Sequence, residues 1–160
     1  MTQSGGRFNG RRGRGLALGP VALILSGALG YCTLMLAGQR RRERGQQGER
    51  EAEQFLSAQR YAIIAKNYRS PFGEIDLIAL DRQTVVFVEV RTHTGPAFGD
   101  PLASVNARKQ RQIAKTALHY LSCHRLHDHE ARFDVIGIRW QGERPQLTHV
   151  KGAFDLPPSL

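Results

Sequence analysis

Beyond residue 45 the chain alternates between two hydrophobic periods. Ala52, Phe55 and Leu56 recur at i, i+3 and i+4, which predicts a helix from Gly48 to about Gln59. Glu49, Glu51 and Glu53 in its opening turns suit the positive end of a helix dipole. Three β-rich runs follow: Tyr61–Tyr68, Glu74–Leu80 and Thr84–Arg91. Arg69–Gly73 carries Pro71 and Gly73 and reads as a turn. Only Asp81–Gln83 separates the second run from the third, so these two predict an antiparallel hairpin. Val85–Val88 is apolar at both parities, the mark of a central strand covered on both faces.

After the Gly/Pro-rich stretch Thr92–Pro101, a long helix is predicted from Asn106 to Ser122, with Asn106 as N-cap and Ile113, Ala117, Leu118 and Leu121 as its apolar stripe. Arg132–Trp140 reads as a fourth strand, and Leu147–Val150 as a short fifth. The predicted fold class is α/β: one mixed sheet flanked by helices.

Upstream of this region the pattern changes. Residues 1–44 hold eight arginines against one acid, Glu43, and the rest of the chain is nearly charge-balanced. The net charge of +9 therefore describes the N-terminal end and is not a nucleic-acid footprint over the whole chain. Between the arginine clusters, residues 16–37 carry no charge. A helix of that length spans about 33 Å, enough for a membrane core of about 30 Å. Residues 1–44 thus read as a basic extension with a candidate membrane helix. The competing reading is a translation start at Met35, the second of only two methionines. A cleaved signal peptide fits poorly, and Tyr31 before Cys32 argues against a lipoprotein site. Arg40–Gln47 reads as a solvated linker, and residues 45–160 as the folded domain. The expected location is cytoplasmic, or the inner membrane with the C-terminal domain in the cytoplasm. Two cysteines, Cys32 and Cys123, exclude a disulfide framework.

The candidate chemistry lies on the strands. Asp76 and Glu89 each interrupt an apolar run, and a carboxylate is costly to bury unless it is paired or binds a cation. Glu89 and Arg91 share a strand face. If the hairpin register sets Asp76 opposite, the two acids suit Mg²⁺ or Mn²⁺, which accept one or two carboxylates and keep waters. A structural ion-pair cluster is the alternative reading. Arg108, Lys109, Arg111 and Lys115 form a basic helix face suited to phosphate contact, or a solvated surface. The run Cys123, His124, His127, Asp128 and His129 lacks a second ligand pair and reads as a helix end, not a zinc site. His93 stands one parity step beyond Arg91, as a proton-transfer aid or a solvent-facing residue. Gly95–Gly99 is a mobile cover for the site or a plain connection.

The strings GEREAEQFL, YAIIAKNYRSPFGEIDLIA, VFVEVRTHTGPAFGDP, VNARKQRQI and RFDVI, in this order, resemble the YraN-like uncharacterised protein family. That family lies in the restriction-endonuclease-like superfamily. The resemblance covers residues 45 to the C-terminus. It implies a restriction-endonuclease-like core and DNA, branched DNA included, as partner. It maps the superfamily's Asp, Glu-x-Lys pattern onto Asp76, Glu89 and Arg91, with Asp76 and Glu89 as metal ligands and Glu49 as the helical acid of junction-resolving relatives. Arg91 departs from the lysine of the pattern. Arginine stays charged and exchanges no proton at neutral pH. The expectation is a metal-dependent nuclease, with a non-catalytic DNA-binding module or a membrane-tethered scaffold as alternatives.

Overall fold

A computed structural model describes the backbone of residues 20–94 and 101–156, and side chains over 38–93 and 103–156. The chain divides into two units, Met1–Gln39 and Arg40–Leu160. The elements are α1 (Pro20–Ala58), β1 (Ala62–Ser70), β2 (Gly73–Asp81), β3 (Thr84–Thr94), a 3-10 turn (Pro101–Ser104), α2 (Ala107–Cys123), β4 (Ala131–Gln141) and β5 (Arg144–Phe154).

Arg40–Gln47 is helical and not a linker. Arginine, glutamate and glutamine are good helix formers even without an apolar period. Among the described residues no helix is long and apolar enough to cross a membrane. The candidate span at residues 16–37, the alternative start at Met35 and the stretch Gly95–Gly99 lie outside the residues whose side chains are described.

The five strands form one sheet in sequential order, β1-β2-β3-β4-β5. The β1/β2, β2/β3 and β4/β5 pairs are antiparallel. β3 and β4 are parallel, so the chain must cross over between them, and α2 makes that crossing. Val85 and Phe87 pack with Ile113, Ala117 and Tyr120 of α2. Val86 and Val88 pack with Ala52 and Leu56 of α1. β3 is therefore the doubly covered central strand its composition predicts. β5 runs 11 residues and not four; as an edge strand with half its side chains in water it has too few apolar positions to announce its length.

The β1–β2 hairpin turns over part-way along. Lys66 reaches Glu53 of α1 at 3.1 Å, whereas the Tyr68 ring meets that of Tyr120 of α2 edge to face. Leu77 belongs to the α1-side core and Ile75 to the α2-side core. Residues two apart normally share a face. Here they do not, and Asn67 between them sits at φ 49°, a left-handed conformation that asparagine tolerates. Opposite Asn67 in the register lies Asp76. Pairing between β2 and β3 stops one residue short of it, at Leu77↔Val88. The two strands fork there.

Candidate functional site

The fork exposes backbone donors of β3 that β2 no longer reaches. Asp76 fills the gap: its Oδ2 accepts the Val90 N–H at 2.7 Å. Glu89, the preceding residue, is 3% exposed and turns to the α2 face. Its Oε1 takes Arg91 Nη2 at 3.1 Å and Lys109 Nζ at 3.0 Å. Its Oε2 is buried without a hydrogen-bond partner among the described residues. Lys109 is delivered by the first turn of α2, whose N-cap Asn106 accepts the Lys109 N–H at 3.0 Å. That positive helix end favours the carboxylate further.

On the other side of the sheet α1 lies close against β3. A Cβ built on Gly48 would stand 2.2 Å from Thr92 Oγ1 and 3.4 Å from Ile138 Cδ1. Only glycine allows that approach, and it brings the next residue, Glu49, close enough for its charge to act on Asp76.

Glu89 thus pairs with two cations, while Asp76 accepts the Val90 N–H and feels the charges of Glu89 and Glu49. Burial raises the Asp76 pKa to about 7 from its ordinary 3.8, and the charges of Glu89 and Glu49 add to the rise against the Val90 hydrogen bond and Lys109. Burial also raises Glu89, and Lys109 and Arg91 counter only part of it. The acids are buried, and the nearby positive charge offsets only part of that cost. A hard divalent cation is the group such oxygens accept, and Glu89 Oε2 is a donor with no other use. Among the described residues no three His, Cys, Asp or Glu side chains stand together at metal-holding spacing. A cation here would draw on Asp76 and Glu89, with water and substrate oxygens completing the shell.

The sequence candidates separate into two groups. Glu89 and Arg91 are paired directly, and the charges of Glu89 and Glu49 act on Asp76. Lys109 joins them instead of standing with the phosphate-contact face. Its distance from Glu89 along the chain hid this, although a helix N-terminus following the end of β3 is a signal that such a side chain can return to that strand end. Arg108, Arg111 and Lys115 remain exposed on α2. Cys123, His127, Asp128 and His129 are exposed, and His124 caps α2 with its ring 4.2 Å from that of Tyr120. This is the helix end expected of them. His93 is half-buried. A cleft of ≈ 630 Å³ opens elsewhere, lined by Arg40, Glu43, Arg44, Gln47, Trp140 and Glu143. It sets two arginines against two glutamates and includes none of the acids at the fork.

Residues 48–138, which contain Glu49, Asp76, Glu89, Arg91 and Lys109, match the uncharacterised protein family UPF0102. The chain belongs to this family. A UPF0102 protein of Geobacter metallireducens is 46% identical over 112 residues, which is 70% of this chain and 92% of the relative. One from Geotalea uraniireducens is 47% identical over 113 residues, 70% of this chain and 89% of the relative. One from Trichlorobacter lovleyi is 45% identical over 123 residues, 76% and 97% of the two. UPF0102 is thus the YraN-like family that the motif order resembles, and its matched region includes the whole fork.

Proposed function

We propose that this UPF0102 chain is a metal-dependent, nuclease-like protein that binds DNA and cuts its phosphodiesters on a restriction-endonuclease-like core. The mixed sheet with a helix on each face supports that core, since a crossover between parallel central strands sets a helix N-terminus beside the strand carrying the acids. The observation that carries the function is the fork. Asp76, buried on β2, feels the charges of Glu89 and Glu49, while Arg91 and Lys109 hold one oxygen of Glu89 and leave the other without a hydrogen-bond partner among the described residues.

Asp76 and Glu89 would hold Mg²⁺ or Mn²⁺. When bound, such an ion lowers the pKa of a water and offsets charge on a phosphate in displacement. Glu49 would orient that water as a hydrogen-bond acceptor. Arg91 and Lys109 exchange part of their contact with Glu89 for the non-bridging phosphate oxygens, and Arg91 suits two of these at once. Lys109 supplies the lysine that the strand position lacks, so the arginine there does not by itself argue for a disabled site.

The test is Mg²⁺- and Mn²⁺-dependent cleavage of duplex, single-stranded, flap and four-way-junction DNA by the full chain. Cleavage by the parent, lost in Glu89→Gln and reduced about ten- to a hundredfold in Lys109→Met, is the expected result. DNA binding without cleavage by the parent, with cleavage gained in Arg91→Lys, would support the non-catalytic module instead.

A further inference from the structure

The tip of the β1–β2 hairpin presents an aromatic ring to water. Phe72 is 49% exposed, although a ring of that size is normally buried. The tip does not owe this to looseness. Ser70 Oγ accepts the Phe72 N–H at 3.1 Å and donates to Thr116 Oγ1 of α2 at 3.4 Å. Gly73 holds φ 146°, with Gln112 of α2 in the space a side chain would need. The ring of His119 stands edge-on to Phe72 at 6.0 Å, and Tyr68 hydroxyl bonds His119 Nδ1 at 2.8 Å. Pro71 stiffens the turn further.

This fixed ring stands at a defined distance from the acids. One side of α2 carries Lys109, Gln112, Thr116 and His119, running from Glu89 to Phe72. Ten residues of helix measure about 15 Å. From the turn, Phe72 precedes Asp76 of β2 by four residues, at most about 13 Å of extended chain. Beside this side runs an exposed row, Arg108, Arg111 and Lys115, which ends in Leu118, 42% exposed. No acid falls between residues 101 and 127. A rigid, half-exposed aromatic at the end of a cationic row is a base-stacking platform beside a phosphate track.

We infer that Phe72 stacks on an unpaired nucleobase of the DNA whose phosphates follow Arg108, Arg111 and Lys115, and so sets a strand end, flap or branch point about four base steps from Asp76 and Glu89. The inference rests on the nuclease reading and adds to it a residue that recognises the discontinuity. Intact duplex offers no free base face to the ring, whereas a discontinuity does.

The test measures affinity by fluorescence anisotropy in EDTA, with full-length parent, Phe72→Ala and Phe72→Trp on equal-length intact duplex, flap and four-way-junction DNA. Phe72→Ala is expected to weaken flap and junction binding about five- to hundredfold, to change duplex binding less than about twofold, and Phe72→Trp to restore the loss. Equal affinities of parent and Phe72→Ala on all three DNAs overturn the inference and leave the nuclease reading standing. A parent that binds none of them overturns both. Self-association of the parent that Phe72→Ala abolishes, with DNA affinity unchanged, assigns the ring to a protein contact and also overturns it. Melting curves of the variants confirm folding, which a half-exposed ring does not govern.

Discussion

Two aspartates solve the same backbone problem with opposite electrostatics. Asp76 and Asp134 each accept a backbone N–H from a neighbouring strand where the ladder is irregular: Val90 at 2.7 Å and Gly152 at 2.9 Å. Both oxygens of Asp134 are fully engaged. Arg132 Nε reaches it at 2.9 Å, His149 Nε2 reaches the other oxygen at 2.9 Å, and Arg132 continues to Asp81 and Tyr61 at 3.1 Å. Burial alone would raise its pKa, but the hydrogen bonds from His149, Arg132 and Gly152 outweigh it and hold the group below the usual carboxylate range. Asp76 has one backbone donor and two carboxylate neighbours, and its pKa rises to about 7. Burial by itself does not mark a functional acid. What separates the two sites is whether the surrounding charge already balances.

The largest expected effect is a double dissociation. Glu89→Gln should lower metal-dependent cleavage about a thousandfold, the worth of several kcal/mol of metal-assisted charge stabilisation, without lowering the melting temperature. Asp134→Ala should remove about 3–5 kcal/mol of stability, because it strips the buried His149 Nε2 and the Gly152 N–H of their acceptor and takes from Arg132 one of its two carboxylates. Chemical denaturation and cleavage measured on both variants check this. If both lose stability alike, the contrast between the sites is broken.

The pH dependences should also run in opposite directions. Asp76 has a raised pKa, so between about pH 4 and pH 7 the folded chain holds a proton the unfolded chain releases, and stability falls as pH rises through that range. Asp76→Asn removes the penalty, and in metal-free buffer should gain about 2–4 kcal/mol at pH 8 and nothing at pH 4. Asp134 has a lowered pKa, so its contribution is present above the unfolded carboxylate pKa and is lost as pH falls through the folded one. Urea titrations at stepped pH read both.

Smaller effects sharpen the geometry. Gly48→Ala forces a methyl against Thr92 Oγ1 and should cost about 1–3 kcal/mol by overpacking, with a loss of cleavage beyond the loss of folded protein as Glu49 moves from the fork. Arg111→Gln and Lys115→Gln should each reduce the salt slope of DNA binding by about 1 and leave stability unchanged.

Most of this architecture is legible in local pattern. The short Asp81–Gln83 link, the doubly apolar Val85–Val88 and the cap at Asn106 each depend on residues close in sequence, and the hairpin, central strand and second helix stand where those signals lie. Asp76 and Glu89 were legible as a pair because a charge in an apolar strand is locally anomalous. Arg40–Gln47 reads as a linker and is helical, because this stretch of α1 carries no apolar stripe to announce it. The roll at Asn67 leaves no hydrophobic signature, so the fork that aims Asp76 at Val90 is visible only in three dimensions. Lys109 looked like one cation among four, and only the tertiary placement of α2 singles it out.

Mn²⁺ titration of the full chain at pH 7.5, followed by the electron paramagnetic resonance signal of free Mn²⁺, tests most directly the proposal that the fork, unlike the Asp134 network, holds a cation. One Mn²⁺ should bind the parent and Asp134→Asn, and none should bind Glu89→Gln. Binding that survives Glu89→Gln, or a folded parent that binds no Mn²⁺ with or without DNA, would contradict it.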